Sequence, residues 1–200
     1  MNVKKFITFE GIDGSGKTTI LKLVYKKLKS EGFDVISTFE PTNSYIGKYV
    51  QKCIENNYDP YLTSFAFIAD RIDHCKKINK WLNENKIVLC DRYSDSTLAY
   101  QSVQLEKLIK NPIKWLKEIS DRNIIIPDRT FLFLIDPELS IQRIKNREKI
   151  ISFEKVSFLK KVDKYYNKLA NSDRYIKIDA TKSIEELVRF CYRDILSLRE

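Results

Sequence analysis

The chain has 200 residues, 43% hydrophobic and 32% charged, which is enough apolar content for one sizeable core. Its net charge of +9 asks for an anionic partner, but the basic residues are spread along the chain instead of massed in a tail. That distribution points to small polyphosphates rather than nucleic acid. No apolar run is long enough to span a membrane, and no membrane partner is expected.

In chain order, Lys5-Phe6-Ile7-Thr8-Phe9-Glu10 predicts a first strand. It runs into Gly11-Ile12-Asp13-Gly14-Ser15-Gly16-Lys17-Thr18, which matches the phosphate-binding loop G-x-x-x-x-G-K-[ST]. The helix predicted from Thr18 to Lys29 carries Ile20, Leu21, Leu23, Val24 and Leu28 at helical spacing, with Gly32 as its stop. A second strand from Phe33 to Phe39 is broken by Glu40-Pro41-Thr42. Helices are predicted from Ile46 to Asn56 and from Tyr61 to Asn85, then a short apolar strand, Ile87-Val88-Leu89-Cys90-Asp91. Helical patterns cover Ser94 to Ser102 and Pro112 to Arg122, and the stretch between them has no clear period. A fourth strand spans Thr130 to Asp136, with a helix from Pro137 to Arg147 and another from Phe153 to Ala170. Tyr175 to Asp179 is the fifth strand, and Ser183 caps a last helix with Glu186 as its capping-box partner.

Strands alternating with helices imply a parallel sheet covered on both faces, in one domain over residues 1–200. Ligands then bind beyond the carboxyl ends of the strands, near Glu10, Glu40, Asp91, Asp136 and Asp179. In the phosphate loop the glycines aim backbone N–H groups at one point, and a helix N-terminus adds its dipole. Lys17 brings a mobile positive charge, and the Thr18 hydroxyl is placed to ligate Mg²⁺.

Asp91-Arg92-Tyr93 follows a buried strand. Its carboxylate can hold Mg²⁺ and its guanidinium can grip phosphate oxygens; the alternative is an Asp–Arg surface pair closing a turn. Phe67 and Arg71 lie one helical turn apart, but spacing alone reads them as a core aromatic and a solvated cation. Arg143, Lys145, Arg147 and Lys149 form a basic run, read either as a solvated face or as a lid near residues 143–153 that closes over ATP and excludes water. His74, the single histidine, reads as a helix-surface residue, and Trp81 and Trp115 as packing residues. Cys53, Cys75, Cys90 and Cys191 are scattered and read as buried thiols in a reducing compartment, which makes the cytoplasm the expected location.

Taken together, these residues resemble the thymidylate kinases across nearly the whole chain. The resemblance rests on Phe9-Glu10-Gly11 through Lys17-Thr18-Thr19, on Glu40-Pro41-Thr42, on Phe67-Ile68-Ala69-Asp70-Arg71, on Asp91-Arg92-Tyr93 through Ala99-Tyr100-Gln101, and on Pro127-Asp128. It implies the three-layer α/β fold of P-loop NTPases, with a five-stranded parallel sheet in the order 2-3-1-4-5. It also implies ATP-dependent phosphorylation of dTMP to dTDP with Mg²⁺, in a homodimer. The residues from Gly11 to Thr19 (Gly11, Ile12, Asp13, Gly14, Ser15, Gly16, Lys17, Thr18 and Thr19) would bind ATP, and Thr18 and Asp91 would hold the metal. Asp13 would meet the sugar 3′-hydroxyl, Phe67 would stack on thymine, and Arg71 would bond its carbonyl edge. Arg92 would hold the monophosphate, Tyr100 would crowd the 2′ position, and Ser96 and Gln101 would line the base pocket beside Glu40 and Pro41. The phosphate loop has no internal arginine, so Arg143 and Arg147 would serve catalysis from the lid beside Lys17, Asp91 and Arg92. Many relatives carry an arginine beside the Glu-Pro pair; here Phe39 precedes it and Thr42 follows. The neighbouring possibility is a deoxynucleoside kinase with Glu40 as general base.

Overall fold

The computed structural model describes residues 4–121, 124–145 and 153–198. Five strands, β1 (Lys5–Gly11), β2 (Val35–Phe39), β3 (Ile87–Asp91), β4 (Arg129–Leu134) and β5 (Tyr175–Asp179), form one sheet in the order β2-β3-β1-β4-β5. Every pairing is parallel. β1 lies at the centre and all seven of its residues are buried, which is why it reads as an apolar run without alternation. Phe9 lies opposite Asp91 on one side and Phe131 on the other. Its ring packs on Phe131 and Phe133, with centroids 5.3 and 6.1 Å away.

Eight helices among the described residues cover the sheet and its ends: α1 (Lys17–Ser30), α2 (Tyr45–Glu55), α3 (Pro60–Asn83), α4 (Ser94–Leu105), α5 (Pro112–Ser120), α6 (Pro137–Lys145), α7 (Phe153–Leu169) and α8 (Ile184–Ser197). α1 closes as its sequence predicts: Phe33 N–H reaches Leu28 O and Gly32 N–H reaches Lys29 O, with Gly32 at φ +86°. α8 opens with the expected capping box between Ser183 and Glu186. The stretch after Ser102 continues α4 to Leu105, and no helix forms between there and Pro112.

The chain leaves β1 for β2 on one side, returns to β3 between them, and crosses to β4 on the other side. This reversal leaves a crevice beyond the carboxyl ends of β1 and β3, the position where open parallel sheets bind ligands. All four cysteines are buried free thiols. Among the described residues no helix is long and apolar enough to cross a membrane.

Candidate active site

The phosphate loop fills the turn from β1 into α1. Gly14 sits at φ +78°, and a Cβ there would lie 2.4 Å from Ser140 O, so only glycine fits against α6. Lys17 is buried, with Nζ 3.3 Å from Ile12 O. Burial, and then the neighbouring Arg92 charge, lower its pKa; Asp13, Asp91 and Glu10 push back, leaving it at about 8. Ser15 Oγ is buried without a hydrogen-bond partner.

β3 delivers Asp91 and Arg92 beside this loop. The two do not pair with each other, so the surface-pair alternative falls. Thr18 Oγ1 donates to Asp91 Oδ2, while Asp91 Oδ1 is buried with no partner. A hydroxyl and an orphaned carboxylate oxygen side by side are a fitting donor set for Mg²⁺. Among the described residues no cluster of three or more His, Cys, Asp or Glu could hold a metal. Among the described residues a cation here would have these two side chains, with its remaining oxygens coming from outside the chain.

Arg92 adopts φ +65°, a left-handed conformation that costs a non-glycine residue roughly 1–3 kcal/mol. The turn sends its guanidinium back over the loop. Nη2 pairs with Asp13 Oδ1 at 2.5 Å, and Nη1 reaches Gly11 O and Ser96 Oγ. Tyr100 Oη sits between the two charges, 3.3 Å from Arg92 Nη2 and 3.2 Å from Asp13 Oδ2. Burial pulls the Asp13 pKa up, but the Arg92 and Lys17 charges outweigh it and hold the group at about 2. Asp13, Lys17, Thr18, Glu40, Asp91 and Arg92 all line one cleft of about 390 Å³.

Beneath this cleft Glu10 is wholly buried. It accepts from Tyr93 N at 2.8 Å, Ser96 N at 3.3 Å, Ser96 Oγ at 2.6 Å and Tyr166 Oη at 3.0 Å. α4 has no cap from its own Tyr93 side chain, so a strand carboxylate caps it instead. Burial, and then the Asp95 charge, raise Glu10 to about 7 against the opposing Ser96 hydrogen bond and the Arg92 charge.

Glu40 follows β2 and is joined to Pro41 by a cis peptide bond. Arg71 Nε and Nη2 both donate to Glu40 Oε2, at 2.9 and 2.7 Å. His74 Nδ1 lies 2.9 Å from Glu40 Oε1. The neighbouring Asp70 takes Thr42 N, Thr42 Oγ1 and Ser44 Oγ. Adjacent residues on α3 thus clamp both sides of Pro41.

A profile of the thymidylate kinase family matches residues 9–191. The chain belongs to the thymidylate kinase family. It is 41% identical over 196 residues to a protein named "Probable thymidylate kinase" from Methanosarcina barkeri, covering 96% of each chain. It is 41% identical to one from Sulfurisphaera tokodaii, covering 97% of each. A third, from Methanocaldococcus jannaschii, is 42% identical over 185 residues, 91% of this chain and 90% of that one.

Within this thymidylate kinase fold, Arg71 and His74 depart from what spacing predicts, while Phe67 keeps its core reading. Arg71 is not solvated: it is 1% exposed and enclosed by Glu40, Tyr93 O and Thr97 Oγ1. His74 is not a surface residue either, at 1% exposed. Ser96 turns toward Glu10, Tyr166 and Arg92, serving the anchor beneath the cleft. Phe67 is half-buried against the Val50, Cys53 and Ala66 cluster. Gln101 Nε2 bonds Gln104 while Gln101 Oε1 is buried without a partner. Arg143 donates to Ala180 O beyond β5, and none of its hydrogen bonds among the described residues reaches the phosphate loop. Arg147 and most of the predicted lid lie outside the described residues. Tyr166 is the participant that sequence reasoning missed: it comes from α7, far from any motif.

Proposed function

We propose that this protein transfers the terminal phosphoryl group of ATP to dTMP, giving dTDP for dTTP synthesis, with Mg²⁺ required. One observation carries the reading: Lys17 and Thr18 from the phosphate loop share a cleft with Asp91 and Arg92 from β3, in a chain of the thymidylate kinase family.

The acceptor is a phosphate oxygen of dTMP, already largely dianionic at neutral pH because its second pKa is about 6. That oxygen forms the new bond to the terminal phosphorus, and the bond to the bridging oxygen breaks as ADP leaves. Catalysis is then alignment and charge neutralisation. In this reading Lys17 sits against the outer phosphates of ATP, and Arg92 leaves Asp13 for the monophosphate. Asp13 is freed to accept the sugar 3′-hydroxyl, and Tyr100 closes the 2′ side. Phe67 stacks on the base, Arg71 donates to a carbonyl, and Gln101 Oε1 accepts from the base N3–H. Mg²⁺, held by Thr18 and Asp91, would neutralise phosphate oxygens. The lid over 143–153 would bring Arg143 and Arg147 to the transferring group.

A deoxynucleoside kinase would need Glu40 as a general base. Both Glu40 oxygens already hold donors, Arg71 on one and His74 on the other, which weighs against that role. The reading extends to a cytoplasmic homodimer. The four free thiols suit a reducing compartment, and Leu62, Phe65 and Ile72 leave an exposed apolar stretch on α3. Light scattering on the pure protein measures the assembly, and a monomer would remove it.

The direct test is Lys17→Ala. Turnover of dTMP falls by at least a thousandfold while the thermal melt stays cooperative. Near-normal turnover would take the phosphate loop out of the mechanism.

A further inference from the structure

Arg71 has five N–H groups, and the structure uses them unevenly. Nε and Nη2 carry every hydrogen bond it makes among the described residues: to Glu40 Oε2 from both, and from Nη2 also to Tyr93 O and Thr97 Oγ1. Nη1 carries none. The guanidinium is planar, so fixing one edge fixes the direction of the other. Glu40 takes both nitrogens of that edge, beside the Tyr93 O and Thr97 Oγ1 contacts, and His74 holds the other Glu40 oxygen. A carboxylate only accepts, so His74 Nδ1 carries the proton at the 2.9 Å contact. In the neutral ring Nε2 then accepts from Thr38 Oγ1 at 2.7 Å. The chain Thr38–His74–Glu40–Arg71 runs from β2 through α3, and both ends are tied to regular elements.

We propose that His74, acting through Glu40, is a positioning residue that sets Arg71 to read a pyrimidine carbonyl and so selects against an amino-bearing base. This rests on the dTMP kinase reading above. A guanidinium held in one orientation presents only donors. It meets the carbonyl of a thymine or uracil with a hydrogen bond and meets the amino group of cytosine with a second donor. A buried site that leaves such a donor unpaired rejects the wrong base strongly. If Glu40 lost its second anchor, the carboxylate could turn and the guanidinium edge would be left to the Tyr93 O and Thr97 Oγ1 contacts alone, and discrimination would relax. The imidazole needs no contact with substrate for this.

The test compares wild type with His74→Leu, His74→Asn and Thr38→Val. Steady-state kinetics are run against dTMP, dCMP and ATP, with thermal melts as a check on folding. Asparagine keeps a donor near the Nδ1 position; leucine removes it. For His74→Leu, KM for dTMP rises about tenfold, kcat and KM for ATP stay within about twofold, and the dTMP-to-dCMP ratio of kcat/KM falls about tenfold. Asparagine restores most of the loss, and Thr38→Val shows a smaller shift in the same direction. An unchanged dTMP KM in His74→Leu, a fall in kcat with no selectivity change, or an asparagine variant as impaired as leucine would each overturn the role. If His74→Leu does not fold, Thr38→Val carries the same comparison. His74 is the only histidine, so its imidazole nitrogens give one NMR signal set. An Nδ1–H tautomer is expected, and an Nε2–H tautomer would overturn the proposal whatever the kinetics. Wild type that turns over no dTMP would instead overturn the parent reading, and this one with it.

Discussion

Glu10 and Ser96 are joined twice: the carboxylate of the central strand accepts from both the backbone N–H and the hydroxyl of a helix residue far along the chain. The residue after Glu10 opens the phosphate loop, and Ser96 stands one turn below Tyr100 on α4. One buried carboxylate therefore sets the loop against the Arg92–Tyr100 side of the cleft.

Replacing Glu10 by alanine strands Tyr93 N–H and Ser96 N–H inside the core and leaves the Ser96 and Tyr166 hydroxyls to bond each other. Orphaned buried groups cost about 1–3 kcal/mol each, so a loss of at least ~2 kcal/mol is expected in urea unfolding. A midpoint equal to wild type would show that water takes over the anchor.

The raised pKa of Glu10 also gives stability a slope with pH. Its folded value of about 7 exceeds the ordinary 4.5, so the folded protein holds more protons between those pH values. This group's contribution to stability therefore falls as pH rises from 4.5 to 7, and the full penalty is present above 7. Glu10→Gln removes that component, so its urea midpoint should rise relative to wild type as pH increases through the window. Parallel curves would mean that Glu10 stays ionised throughout.

Lys17 leads to a proton count. With its pKa lowered to about 8, the nucleotide-free protein at pH 8.5 holds it charged about a quarter of the time. A polyphosphate beside Nζ restores the charge. ATP binding at pH 8.5 should therefore take up roughly three quarters of a proton, read by calorimetry in buffers of different ionisation heat. Uptake at pH 8.5 no greater than at pH 6.5 would place the phosphates away from Lys17.

Much of this is legible in the sequence, for a physical reason. The phosphate loop is contiguous, so its residues share a site wherever the chain goes, and the apolar runs at Ile87–Asp91 and Thr130–Asp136 read as strands, the second observed as Arg129–Leu134, because both faces are covered. The meeting of Thr18 with Asp91 followed from the strand-end rule. What stayed hidden depends on contacts between helices and distant strands. A helical arginine is usually solvated, and nothing in the spacing of Arg71 reveals that Glu40 will arrive to bury it. His74 reads as a surface residue for the same reason, since the partners that bury it, Thr38 and Glu40, come from β2 and its exit. Tyr166 belongs to no motif, and only the packing of α7 brings its hydroxyl to Glu10.

Tyr100 offers a test of sugar recognition. Its hydroxyl bridges Arg92 and Asp13, so truncation to alanine opens space beside Asp13 and removes one of its partners. The preference for dTMP over ribothymidylate should narrow by about tenfold or more, measured as a ratio of kcat/KM. An unchanged ratio would take Tyr100 out of sugar selection.

The most direct measurement is ADP release by the wild-type protein with Mg-ATP and, in turn, dTMP, dUMP, dCMP, dAMP and thymidine. The account predicts turnover with dTMP well above every other acceptor. Turnover with thymidine but not with dTMP would contradict it, because a neutral hydroxyl acceptor needs a base, and Glu40 would then have to leave Arg71 and His74 to serve as one.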